Sequence, residues 1–220
     1  MSGISVKVVI LGDSGIGKTC LIQRYISGRS DIQNTTLGAV FVKLEHNFKN
    51  HQGKNYHLPI QFWDTAGQER YNALIPMYIR DADYVIIAFD LTNLASFQNL
   101  DKWLSFGKDT IKPAKFVLVG CKNDLSRNSY ITDDLIEEFR KKNMPQSKFF
   151  KCSSMTNENI DELFLHIKIS LERLGEQRIN LNSIEYNNNN NNTVSIDDYN
   201  NIFMGNSYVD LVGVKKKCCF

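Results

Sequence analysis

Apolar positions along the chain follow two rhythms. Val6–Leu11 is a short β-branched and aliphatic run closed by Gly12, the pattern of a strand buried on both faces. Over Gly17–Ser27 the period lengthens, with Leu21, Ile22, Tyr25 and Ile26 at helical spacing, and polar Arg29–Gly38 then reads as a loop. Ala39–Phe48 and Tyr56–Asp64 are strand-like, and polar Lys49–Asn55 with its glycine makes them a hairpin. Asp83–Asp90, Lys115–Cys121 and Lys148–Cys152 complete six strand-like runs. Helices are predicted over Ser96–Thr110, with Phe97, Leu100, Leu104 and Phe106 inward, and over Thr132–Lys142, opened by the cap-type residues Thr132 and Asp133. A last helix over Asn157–Leu174 places Ile160, Leu163, Phe164, Ile167 and Leu171 on one face.

Strands therefore alternate with helices from residue 5 to about 174. That order predicts an α/β domain: a mostly parallel six-stranded sheet with one antiparallel hairpin, helices on both faces, and functional loops at the carboxyl ends of the strands. After Gly175 polar residues dominate, and Asn187–Asn192 is a run of six asparagines with no derivable chemistry. Residues 5–174 are thus expected to form the domain, and 175–220 a flexible tail.

Composition narrows this only slightly. With 42% hydrophobic and 23% charged residues the 220-residue chain can bury a core, and a net charge of +2 gives no global basic field for nucleic acid. The five cysteines (Cys20, Cys121, Cys152, Cys218, Cys219) are odd in number and no secretory signal opens the chain, so a reduced, intracellular protein is expected. No apolar stretch reaches the roughly 18 residues of a membrane-spanning helix.

The chemistry begins at Gly12-Asp13-Ser14-Gly15-Ile16-Gly17-Lys18-Thr19, which fits G-x-x-x-x-G-K-[ST] between a predicted strand and a predicted helix. Glycines let backbone N–H groups converge on phosphate oxygens, and the helix that follows adds its positive end. Lys18 suits the β- and γ-phosphates, and the Thr19 hydroxyl suits Mg²⁺. A second motif, Asp64-Thr65-Ala66-Gly67-Gln68, ends the run Ile60–Trp63: Asp64 is placed to hold Mg²⁺ through water, Gly67 to offer a backbone N–H, and Gln68 to orient a water for in-line attack.

Together with Trp63-Asp64-Thr65-Ala66-Gly67-Gln68-Glu69-Arg70 and Lys122-Asn123-Asp124, the loop resembles the Ras superfamily, and its Rab branch in particular, over about residues 5–174. The resemblance implies a GTPase that binds GTP and GDP with Mg²⁺. It implies that Thr36 is the switch I threonine that binds Mg²⁺ beside Thr19 and Asp64, that Gln68 is catalytic, and that Tyr71 belongs to an effector surface. It extends the nucleotide contacts from Gly12 through Cys20 and on to Gly67, Cys121, Lys122, Asp124, Ser153, Ser154 and Met155.

The base side departs from the pattern. The family's N-K-x-D appears as Cys121-Lys122-Asn123-Asp124, and its S-A-K as Ser153-Ser154-Met155. Asp124 remains to select guanine, the Lys122 stem to cover the base, and the N–H of Ser154 to meet O6. Cys121, however, is a poor hydrogen bonder, and no aromatic stands between Tyr25 and Phe41. Two weakened hydrogen bonds predict roughly 10- to 100-fold weaker binding and a shorter nucleotide dwell time.

The ending Lys215-Lys216-Lys217-Cys218-Cys219-Phe220 resembles the CC-x tails of the Rab branch, in which both cysteines carry geranylgeranyl groups; two chains and a basic run hold a membrane where one chain does not. The implied partners are an exchange factor, a GTPase-activating protein, a dissociation inhibitor, a prenylation escort factor and effectors, and the implied location is the cytoplasmic face of a membrane with a cytosolic pool. A monomer is expected. Two rivals follow from the same residues: a membrane-tethered pseudo-switch acting as an interaction module, and a P-loop kinase, for which no lid segment is found.

Overall fold

The computed structural model describes residues 4–29, 36, 39–50, 53–67, 73–110 and 115–189. Its core is a six-stranded sheet of β1 (Val6–Leu11), β2 (Ala39–Leu44), β5 (Ile60–Thr65), β6 (Tyr84–Asp90), β7 (Lys115–Cys121) and β8 (Lys148–Lys151), in the order β2-β5-β1-β6-β7-β8. Only β2 runs antiparallel to its neighbour. The predicted mostly parallel sheet is present.

The predicted single hairpin is divided. β3 (Asn47–Lys49) and β4 (Asn55–His57) pair as a separate two-stranded ladder beyond the β2–β5 pair. The interruption falls at Glu45-His46 and Leu58-Pro59, where Leu58 N–H donates to His46 O at 2.7 Å. Pro59 has no N–H for a ladder, and its carbonyl instead accepts from Val6 N–H at 3.0 Å, joining β1.

Strand alternation sorts side chains onto two cores. Val6, Val8 and Ile10 of β1, Tyr84, Ile86 and Ala88 of β6, and Val117, Val119 and Cys121 of β7 meet α1 (Lys18–Ser27) and α6 (Ile160–Asn189). The intervening Val9, Leu11, Val85, Ile87, Phe89 and Leu118 meet α2 (Ile75–Ile79), α3 (Leu94–Gln98), α4 (Leu100–Thr110) and α5 (Asp133–Asn143). The expected inward residues of the last helix are all buried. Helices thus cover both faces, as the alternation of elements predicts.

Three helical features differ from expectation. The helix predicted over Ser96–Thr110 is two: Asn93 caps α3 through its side chain, accepting from Ala95 and Ser96 N–H, and a turn at Asn99 precedes α4. The short α2, with Pro76 in its first turn, has too few residues for a visible period; burial of Ile75 and Ile79 holds it. α6 continues past Leu174 to Asn189, since no proline interrupts it and one glycine costs a helix only about 1 kcal/mol. Gly175 marks a close approach instead: a Cβ there would stand 2.8 Å from Leu58 Cδ2. The cap expected at Thr132 is present, its hydroxyl accepting from Leu135 N–H at 3.3 Å.

Gly175→Leu should overpack this contact and lower stability by about 1–3 kcal/mol, read as a lower urea midpoint. An unchanged midpoint would remove the Leu58 contact from the account of why glycine stands there.

Candidate functional site

The phosphate-type loop leaves the carboxyl end of β1 and enters α1 at Lys18. Gly12 has φ +150°, and a Cβ there would lie 2.3 Å from Ala88 O, so only glycine permits this turn. Lys18 is 6% exposed, and its ammonium donates to Gly12 O at 2.8 Å and Asp13 O at 2.7 Å. Burial lowers its pKa to about 8, although Asp64, Cys121 and Asp13 oppose that shift.

Strand β5 lies beside β1 in parallel, so its own end delivers Asp64, Ala66 and Gly67 to the same place. Asp64 is 3% exposed; its Oδ2 accepts from Thr19 Oγ1 at 2.5 Å, while its buried Oδ1 has no hydrogen-bond partner among the described residues. Burial raises the Asp64 pKa; the Thr19 hydroxyl, Lys18 and the Thr36 hydroxyl act against that. Thr36 Oγ1 lies 2.9 Å from Thr19 Oγ1. Two hydroxyls and a carboxylate, all hard oxygen donors, thus converge beside a buried lysine. A Cβ on Gly67 would approach Asp13 C to 2.3 Å, so the segment after β5 packs directly on the loop.

Asp13 is clamped from the opposite side. Its carboxylate accepts from Asn99 Nδ2 and from Trp103 Nε1, both at 2.7 Å. Neither partner was foreseen in the sequence pattern, and Trp103 is fully buried at a helix position assigned no inward role. The signal was its own type: a buried indole N–H seeks an acceptor.

At the ends of β7 and β8 lies a second cluster. Cys121 is buried in the apolar core and makes no side-chain hydrogen bond among the described residues; burial pushes its thiol up to about 12. Lys122 adopts the left-handed conformation (φ 60°, ψ 41°), and its ammonium pairs with Asp90 Oδ2 at 2.7 Å. Asp90 Oδ1 also accepts from Thr92 N–H and Oγ1. Ser153 is buried; its hydroxyl donates to Asp124 Oδ1 at 2.6 Å, its backbone N–H donates to Glu158 O, and Thr156 N–H donates to its Oγ. Met155, by contrast, is 61% exposed. Arg24, another residue not foreseen, reaches from α1 to the carbonyls of Ser154 and Met155.

The model of the Ras family matches residues 7–173 of this chain. The chain belongs to the Ras family. It is similar to the Ras-related protein Rab-4 of Dictyostelium discoideum (34% identity; 78% of this chain, 87% of that one). It is likewise similar to the Ras-related protein RABF2b of Arabidopsis thaliana (35%; 78% and 83%) and to the Ras-related protein SEC4 of Candida albicans (30%; 73% and 74%). As a Ras-family member it is a GTPase, and the family binds GTP and GDP with Mg²⁺.

In this Ras-family chain Gly12–Cys20, Thr36, Asp64 and Gly67 gather at one end of the sheet, with Cys121, Lys122, Asp124 and Ser153–Met155 at the neighbouring strand ends. Gln68, Tyr71, Cys218 and Cys219 lie outside the described residues. Among the described aromatics, Trp63 meets Phe41 edge to face at 5.3 Å and Tyr78 at 6.4 Å. No described helix is long and apolar enough to cross a membrane.

Trp103→Phe keeps most of the ring volume but removes one donor from the Asp13 carboxylate. Stability should fall by about 1–2 kcal/mol in urea titration. No change would mean that Asn99 alone holds Asp13.

Proposed function

We propose that this chain is a Rab-like GTP-binding switch that recruits effectors to an intracellular membrane during vesicle traffic. One observation carries the reading: Thr36, from the segment before β2, meets Thr19 and Asp64 beside Lys18. A threonine in that place couples a loop to the bound γ-phosphate, which is the physical content of a switch.

The residues fit Mg²⁺. Asp64 is a buried carboxylate with one oxygen that has no hydrogen-bond partner among the described residues, and hydroxyls lie beside it. Mg²⁺ held by Thr19, Thr36 and Asp64 would supply charge neutralisation between the β- and γ-phosphates. Lys18 adds a second positive charge in a low-dielectric setting, where it counts for more than in water. Asp124, fixed by Ser153, would accept from guanine N1–H and the 2-amino group; Lys122 would cover the base plane; and the Ser154 N–H would donate to O6. Gln68 would orient the attacking water.

The relatives' Rab names support the trafficking assignment. Exchange factor, activating protein, dissociation inhibitor, escort factor and effectors are the corresponding partners, with the Phe41–Trp63–Tyr78 cluster offering an apolar face for effectors. Cys218 and Cys219, beside Lys215–Lys217, would carry two geranylgeranyl groups and hold the protein on a cytoplasmic leaflet.

Labelled GDP bound in the presence of Mg²⁺ should be displaced by excess GTP and not by ATP, with release roughly 10- to 100-fold faster than from relatives that keep the asparagine at the Cys121 position. Release as slow as theirs would show that Cys121 is tolerated without cost. Failure to hold guanine nucleotide at all would favour the pseudo-switch, for which the apolar setting of Cys121 speaks.

Gln68→Leu should lower single-turnover GTP hydrolysis by tenfold or more, roughly the scale on which a positioned water contributes. Hydrolysis at the unaltered rate would remove Gln68 from catalysis.

A further inference from the structure

Arg24 occupies the last turn of α1 and is used by none of the roles above. Its guanidinium engages three main-chain carbonyls at once: Nε donates to Ser154 O, Nη2 to Met155 O at 3.0 Å, and Nη1 to Gly28 O at 2.8 Å. Gly28 is the left-handed residue (φ 71°, ψ 7°) where the chain leaves α1. One rigid planar fork therefore ties the helix that begins at Lys18, the exit from that helix, and the loop Ser153–Met155.

We propose that Arg24 is a positioning residue for guanine recognition: it sets the Ser154–Met155 backbone at the height of the base and holds it in register with the phosphate-binding helix. The inference rests on the switch reading. Two features of the loop require such a tether. On its inner side, Ser153 is bonded to Asp124, Glu158 and Thr156. Farther out the Met155 side chain faces solvent, so packing does not hold that end. Across the cleft, Cys121 stands where the family motif has asparagine, and it makes no side-chain hydrogen bond among the described residues. Arg24 hydrogen-bonds the base loop directly from the phosphate-binding helix. A cation near the carboxyl end of a helix also complements the helix dipole, so a purely stabilising role must be separated from a positioning one.

The test compares two fluorescently labelled nucleotides on the full chain with Mg²⁺: GDP, and 6-thioguanosine diphosphate, which keeps the N1–H and 2-amino group facing Asp124 but replaces O6 with a weakly accepting sulfur. Release is followed after adding excess unlabelled GDP. The unaltered protein should release the 6-thio nucleotide roughly tenfold faster than GDP, the scale of one weakened hydrogen bond. Arg24→Leu should release GDP roughly 10- to 100-fold faster and bring the ratio of the two rates towards one. Arg24→Lys, which keeps charge without the fork, should fall between them, and it carries the test if the leucine variant fails to fold.

GDP release within twofold of the unaltered protein in both variants would overturn the proposal. So would faster release with the base ratio unchanged, which is the signature of a loosened helix. Failure of the unaltered protein to hold GDP would sink the switch reading and this inference with it, whereas an unaltered protein that binds GDP beside inert Arg24 variants would sink the inference alone.

Discussion

Parallel pairing of β1 with β5 is the constraint from which the site follows. Ile10 stands opposite Asp64, and Thr65 Oγ1 donates to Ile10 O at 2.6 Å. The ends of the two strands therefore open at the same level, one into Gly12 and the other into Ala66-Gly67. A slip of one residue would turn Asp64 to the opposite face of the sheet and bring Trp63 or Thr65 to the loop. That register is held by burial on both faces, because Val8 and Ile10 serve one core while Val9 and Leu11 serve the other. The hydrophobic pattern of six residues thus determines where one carboxylate lies.

Burial then sets the electrostatics. Lys18 and Asp64 are placed where water is scarce, and burial pushes each towards its neutral form: the Lys18 pKa falls to about 8 and the Asp64 pKa rises. Each partly relieves the other, and Asp64 Oδ1 has no hydrogen-bond partner among the described residues. A site of this kind gains more from polyanionic phosphate and a divalent cation than an exposed one would, because attraction strengthens as the dielectric falls. Asn99 and Trp103 hold Asp13 from the far side, so the loop is braced between β5 and the α3–α4 turn.

Much of this was legible from residue order. Strands with two-faced burial, Thr132 as a cap, and the glycine–lysine loop between strand and helix all depend on neighbours within a few positions, which is the range that pattern reading covers. What escaped depends on distant partners. Pro59 divides the hairpin because its carbonyl serves β1, and Gly175 sits inside a helix because Leu58 approaches it. Trp103 finds Asp13 across ninety residues of chain, and Arg24 finds Ser154 across a longer stretch. The effector-surface role that the resemblance implies for Tyr71 falls outside the described residues; among those described, Tyr78, on the short helix that periodicity does not reveal, joins Trp63, which also meets Phe41.

The two halves of the site also differ in what they can tolerate. Phosphate recognition rests on charge in a buried setting, where removing Lys18 or Asp64 would leave its partner charge uncompensated. Base recognition rests on neutral hydrogen bonds of modest net worth, several of them from the backbone, which survive changes of side chain. Cys121 illustrates the difference: it points into a core of Val117, Val119 and Cys152, where a thiol packs at little cost and an amide would need partners. Once that position is apolar, geometry at the base must come from groups that fix backbone, such as the Ser153 hydroxyl on Asp124 and the Arg24 fork on Ser154 and Met155. The departures from the family pattern therefore cluster where the chemistry is cheapest to replace, and the oxygen donors and the lysine stay where it is not.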